Sequence, residues 1–162
     1  VDFSDWYYDS TIVIIGAKAD TTKIDFDNPD SVKGKIFGAQ NATIHSKFLE
    51  SRFGSVTEIK KYDGFDNALA DLAAGRVDFV QEGQSTVGAF METDAGKGFE
   101  VKAIVPADPI LGFGVGAAVR KGEAELLAKI NAGIKAVVQN GKYAEITAKY
   151  PGLGEQLQQP TY

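Results

Sequence analysis

Asp63-Gly64-Phe65-Asp66-Asn67-Ala68-Leu69-Ala70-Asp71-Leu72-Ala73-Ala74-Gly75-Arg76-Val77-Asp78-Phe79-Val80 reads as one helix followed by one strand. Phe65, Ala68, Leu69 and Leu72 recur at helical spacing and line one face. Asp63 is placed to cap the helix, and Gly75 to end it in a left-handed turn. Residues 77–80 are then apolar and β-branched or aromatic at three of four positions, as a buried strand requires.

The same alternation extends in both directions. Upstream, residues 11–15 and 35–39 read as strands, with a polar loop at 20–29 between them. Ile44, Phe48, Leu49 and Phe53 give a helical stripe, and residues 56–60 another strand. Downstream come a short helix at 84–93, a strand at 101–105, a proline-marked loop at 106–109 and a strand at 113–119. Leu126, Leu127, Ile130, Ile134, Val137 and Val138 stripe a long helix over 123–139. Asn140-Gly141 ends it, and residues 143–150 supply one more helix before Pro151. The tail beyond Pro151 has no period and is expected as coil. Strands alternating with helices predict an α/β fold whose mostly parallel central sheet is covered on both faces.

Composition narrows the function. The chain has 162 residues, of which 44% are hydrophobic and 24% charged, as in ordinary globular proteins. Its formal net charge of −5 opposes nucleic-acid binding, which rests on basic surfaces. Without cysteine there is no disulfide and no thiolate chemistry. His45 is the only histidine, so a multi-histidine metal site is excluded, and no cofactor is expected. The chain starts Val1-Asp2-Phe3-Ser4, with neither an initiator methionine nor an apolar leader, which fits a mature or truncated chain.

In open α/β sheets, ligands lie beyond the carboxyl ends of the strands. Two strand-to-helix junctions are therefore the candidate site. At Gln40-Asn41-Ala42-Thr43 a helix N-terminus offers unpaired N–H groups to a carboxylate or phosphate, and Thr43 adds a hydroxyl. The plainer alternative is that Asn41 or Thr43 only caps the helix. At Gln81-Glu82-Gly83-Gln84, Glu82 could bind a cation and Gly83 could admit close approach, or the segment is a solvated turn. His45, one turn into the helix, reads as a surface or packing residue. Asp63, Asp66, Asp71 and Asp78 read as caps or solvated faces. Trp6, Tyr7 and Tyr8 form an aromatic cluster suited to a core or a cleft wall.

Several ordered motifs resemble one family. Asp2-Phe3-Ser4-Asp5-Trp6-Tyr7-Tyr8 resembles the "DFSxPYY" segment of periplasmic solute-binding proteins for polar amino acids, with Trp6 at the usual proline. Val32-Lys33-Gly34-Lys35 is similar to the "LKGK" that opens the second lobe, and Gln40-Asn41-Ala42-Thr43 to the "QxGT/QGST" ligand loop. The run from Ala70 to Asp78 nearly repeats the family's "DLAAGRVDA". Thr93 to Gly98, Gly114 to Gly122 and Asn140 to Tyr143 continue the series, so the resemblance runs to about residue 150.

The resemblance implies a type II periplasmic-binding-protein fold, an α/β sandwich lobe that clamps a solute for an ABC importer without catalysis. It implies that residues 1–10 end the first lobe, 11–17 form a hinge strand and 18–112 the complete second lobe. Residues 113–119 form the returning hinge strand, and 120–162 the C-terminal helices and tail of a first lobe otherwise absent, the chain being truncated at its N-terminus. The ligand-binding residues would be Asn41, Ala42, Thr43, Ile44, Glu82 and Gly83. The partners would be a small carboxylated or amino-acid-like solute and the importer's membrane subunits, in the periplasm or tethered outside the cell. Uncovered apolar faces would favour a homodimer, by exchange of hinge or terminal elements.

Two departures from the family bear on the solute. Ala42 replaces glycine or serine in the ligand loop, and Gly83 stands where relatives have the aspartate that grips the solute's amino group. Either Glu82 or the absent lobe supplies that charge, or the solute is not a standard α-amino acid, because a buried ammonium without a partner is costly. The alternatives are a cyclohexadienyl dehydratase-like lyase, with Glu82 as general acid, and a receptor's sensing domain.

Overall fold

Residues 12–15 are apolar at every position, so a strand there is expected to bury both of its faces. The computed structural model, which describes residues 1–149 and 157–158, puts them at the centre of a sheet. Its elements run β1 (Asp2–Phe3), β2 (Asp9–Ser10), β3 (Ile12–Ala17), β4 (Ile36–Gln40), α1 (Ile44–Phe53), β5 (Glu58–Tyr62), α2 (Phe65–Ala73), β6 (Phe79–Gly83), α3 (Gln84–Met91), β7 (Phe99–Ile104), β8 (Ala118–Val119), α4 (Ala124–Gln139), α5 (Lys142–Thr147) and β9 (Leu157–Gln158). The chain divides into two compact units: Thr11–Gly112, and Val1–Ser10 with Phe113–Tyr162.

The Thr11–Gly112 unit is built on a five-stranded sheet in the order β5-β4-β6-β3-β7. β4 pairs in parallel with β5 and β6, whereas β3 is antiparallel to both β6 and β7. Four strands thus share one direction and β3 alone is reversed, so the sheet is mixed in pairing although mostly parallel in direction. β3 begins beside the end of β6, where Gln84 N–H donates to the Thr11 carbonyl. The chain leaves β7 at the same edge, with Val105 N–H on the Ile12 carbonyl.

Side chains alternate across this sheet. Ile14, Phe37, Ala39 and Phe79 face one side, where they pack with Phe48, Leu49 and Phe53 of α1. Val13, Ile15 and Val80 face the other, with Ala68 and Leu72 of α2 and Val87 of α3. Both faces are therefore covered, as the apolar runs of β3 and β4 require.

The helix–strand unit that the sequence marks most clearly shows how local chemistry sets boundaries. Gly75 takes φ +68° after α2, and Gly75 N–H and Arg76 N–H donate to the Leu72 and Asp71 carbonyls at 3.0 and 2.8 Å. That pair of bonds is the Schellman arrangement, and glycine adopts its left-handed turn without a Cβ penalty. Asp63 does not cap α2: Gly64 holds the cap position without a side-chain bond. Asp71 and Asp78 are not solvated faces either. Asp71 accepts from Tyr62 Oη at 2.7 Å and from Arg76 Nε at 2.8 Å, and Asp78 accepts the Ile36 N–H at 2.8 Å. Burial, with the Asp71 carboxylate alongside, pushes the Tyr62 phenol up to about 12.

Several strands begin or end away from their expected places. β5 starts two residues late because Val56 and Thr57 N–H both close onto the Phe53 carbonyl at the end of α1. β6 starts at Phe79 and runs on to Gly83, because Gln81 and Glu82 stay in register with Ile14 and Val13. The strand expected over 113–119 reduces to β8 and a single Tyr8–Val115 bridge. Gly114 at φ +68° turns the backbone out of strand geometry there.

In the second unit, β1 pairs with β8 and β2 with β9, both antiparallel. Trp6 meets Phe113 edge to face at 5.1 Å. The apolar stripe expected on α4 is present, yet the helix buries no residue, and Leu126 and Val137 are exposed. Apart from Leu157–Gln158, the tail beyond Pro151 lies outside the described residues.

Candidate functional site

β4 and β6 are adjacent and parallel, so their carboxyl ends share one edge of the sheet. α1 and α3 start at that edge. Asn41, Ala42, Thr43 and Ile44 therefore lie at the first junction and Glu82 and Gly83 at the second, on neighbouring strands.

Thr43 is the N-cap of α1. Its hydroxyl accepts from Ser46 N–H at 3.2 Å and donates to the Gln40 carbonyl at 2.7 Å. The hydroxyl is thus committed to the turn, as the capping alternative holds. Asn41 folds over the loop: its N–H reaches the Tyr62 carbonyl at 2.7 Å, and its Oδ1 accepts the Ala42 N–H at 2.9 Å. The first intrahelical donor is Lys47, bonded to the Thr43 carbonyl. Helical geometry thus leaves the Ile44 and His45 N–H groups without an intrahelical acceptor, at the positive end of the helix dipole. Ile44 itself is exposed beside them.

Ala42 is the one described non-glycine residue with positive φ, at +59°. An L-residue with a Cβ is disfavoured in that region, and glycine is not. Ala42→Gly is expected to raise the unfolding free energy by about 0.5–1 kcal/mol. Urea denaturation followed by tryptophan fluorescence and circular dichroism measures it, and a destabilised variant contradicts the strain assigned to this turn.

The second junction is organised around His45. The sequence reading places this residue on the surface or in packing; the structure places it 9% exposed and against the Glu82 carboxylate. His45 Nε2 lies 2.9 Å from Glu82 Oε1, and Nδ1 lies 3.3 Å from Gln81 Nε2. Glu82 Oε1 also accepts the Gly83 N–H at 2.8 Å. Burial pushes the Glu82 carboxyl up, but the His45 hydrogen bond and charge outweigh it and hold the carboxyl below the usual range. Glu82 is therefore a carboxylate at neutral pH with one oxygen engaged by His45. The side chains of Glu82 and His45 remain 18% and 11% accessible. Gln81 is fully buried, and its Oε1 has no hydrogen-bond partner among the described residues.

His45 and Gln81 are the members that sequence reasoning missed. Nothing in the chain links position 45 to position 82, which meet only because β4 and β6 are neighbours. The available signal is the polar pair Gln81-Glu82 inside an otherwise apolar strand. Among the described residues no group of three or more His, Asp or Glu side chains could hold a metal ion, and no helix is long and apolar enough to cross a membrane.

Comparison with known proteins places the chain in a family. The profile described as "Bacterial extracellular solute-binding proteins, family 3" matches residues 1–153. The chain belongs to this family. Curated relatives of this family-3 chain include the L-arginine-binding protein of Pseudomonas aeruginosa, 35% identical over 156 residues, covering 93% of this chain and 58% of the relative. ABC transporter arginine-binding protein 1 of Escherichia coli is 33% identical over 151 residues, covering 93% and 59%. Among solved structures, an ancestral arginine-binding protein bound to glutamine superposes with a TM-score of 0.79 at 30% identity, covering 94% of this chain and 64% of that one. The fold is that of the type II periplasmic binding proteins. The family-3 chain spans somewhat under two thirds of the length of the relatives it matches.

Proposed function

We propose that this chain belongs to the extracytoplasmic substrate-binding component of an ABC importer for amino acids or amino-acid-like carboxylated solutes, located in the periplasm, with no catalysis of its own. On this reading residues 18–112 are the second lobe of the clamp, joined through hinge segments 11–17 and 113–119 to flanking segments of the first. The observation that carries it is the pair of junctions at one sheet edge. There the N–H groups of Ile44 and His45, which have no intrahelical acceptor, suit a carboxylate, and Glu82 lies on the neighbouring strand. The names of the relatives support the solute class. Glu82, held ionised, is poorly suited to be the general acid that a dehydratase needs. Importer membrane subunits are the partners implied, and the exposed Leu126 and Val137 of α4 support self-association of the chain.

A heteronuclear NMR titration of the full chain with L-arginine, L-glutamine and acetate, up to high millimolar concentration, tests this reading. Amide shifts are expected to concentrate at Asn41, Ala42, Thr43, Ile44, Glu82 and Gly83 for the two amino acids, and to be weaker with acetate. A folded chain whose amides at these positions do not respond to either amino acid overturns the proposal.

A further inference from the structure

The charge at the candidate site is not carried by Glu82 alone. His45 sits on its carboxylate at 2.9 Å, from the first turn of the helix whose N-terminus forms the other half of the site. We infer that His45 is a specificity-determining residue, which neutralises Glu82 when protonated and so sets whether this wall favours a cationic or an uncharged solute side chain.

The geometry supports this in three ways. Both side chains are largely buried, so their mutual charge is poorly screened. Glu82 is the charged group recorded against the imidazole from β6, and its neighbour Gln81 is neutral. Gln81 also suits either form of the ring. Its amide NH2 donates to Nδ1 of the neutral imidazole, which leaves the buried Oε1 unpartnered, as observed. Rotation of the amide presents Oε1 to the Nδ1–H of an imidazolium instead, a charge-assisted bond. Neutral His45 still donates Nε2–H to Glu82 but leaves its negative charge uncompensated and open to a guanidinium or ammonium. With the imidazolium in place the pair is neutral, and such a solute gains nothing over an uncharged one.

The inference rests on the solute-binding reading above, and its test separates the two. L-arginine and L-glutamine share their α-groups and differ in side-chain charge, so the ratio of their affinities isolates the effect of the wall. NMR titration of the full chain at a series of pH values is expected to give an arginine-to-glutamine affinity ratio that rises as the imidazole loses its proton. His45→Gln is expected to raise the ratio about tenfold at the acidic end and to make it independent of pH. Glu82→Gln, which keeps the shape and removes the charge, is expected to lower the ratio throughout, because the wall then passes between neutral and cationic instead of between anionic and neutral. It should also shift the imidazole resonances, which are unambiguous because the chain has one histidine. A merely structural role for His45 would weaken both solutes equally. Binding with a ratio unmoved by pH or by either variant overturns the inference alone. Binding by neither amino acid overturns the solute-binding reading and the inference with it.

Discussion

Phe37→Ala is expected to lower the unfolding free energy by about 3–5 kcal/mol, the largest loss of any single change considered. Phe37 is fully buried in β4, the strand that runs into the first candidate junction. Its ring stacks on Phe53 of α1 at 5.4 Å with an interplanar angle of 10°, and lies 5.2 Å from Phe79 of β6. Truncation leaves a cavity bounded by two other rings that are themselves held by neighbours, so the site cannot collapse to fill it. α1 loses the contact that seats it on the sheet. The effect therefore extends to its first turn, where His45 is expected to give a broadened or shifted imidazole signal. Phe37→Leu keeps most of the volume and is expected to cost less than about 1.5 kcal/mol. Denaturant unfolding of both variants tests this; equal losses for leucine and alanine contradict the cavity argument.

Gly16→Ala is expected to cost about 2–3 kcal/mol, by overpacking rather than by a void. A Cβ at residue 16 would stand 2.6 and 2.7 Å from Cδ1 and Cε1 of Phe79 and 3.1 Å from the Asp78 carbonyl oxygen. Gly16 and Phe79 are direct partners in the β3–β6 ladder, so the clash sits in the centre of the sheet. The ring has little room to retreat, with Phe37 on one side and Lys35 Nζ 6.0 Å over its face. Thinning the ring in the Gly16→Ala/Phe79→Leu double variant is expected to recover part of the loss. A double-mutant cycle reads that recovery as a coupling between the two positions, whereas simple additivity rejects the clash as the cause.

These two residues illustrate what was legible. Phe37 could be assigned to a strand and Phe53 to a helical stripe from spacing alone, because apolar periodicity reports which face an element buries. The end of α2 at Gly75 was equally readable, since a left-handed turn favours glycine whatever surrounds it. Asp71 and Asp78 misled because a carboxylate beside a helix end looks the same whether it is solvated or bonded to Tyr62 or to the Ile36 N–H. The 113–119 segment misled because Phe113, Val115 and Val119 outweighed Gly114, whose positive φ became visible only with Trp6 packed against it.

The candidate site divides along the same line. By itself the sequence determined that Asn41 to Ile44 and Glu82 to Gly83 follow strands and precede helices, because that information is local. It determined also that Gly83 offers no carboxylate. Only the tertiary structure decided what Glu82 does. Parallel pairing of β4 with β6 brings residues 45 and 82 within 2.9 Å, and the sole histidine becomes the partner of the carboxylate at the site. A contact between residues so distant along the chain leaves no local pattern, because it is fixed by strand order and register rather than by helical or strand period.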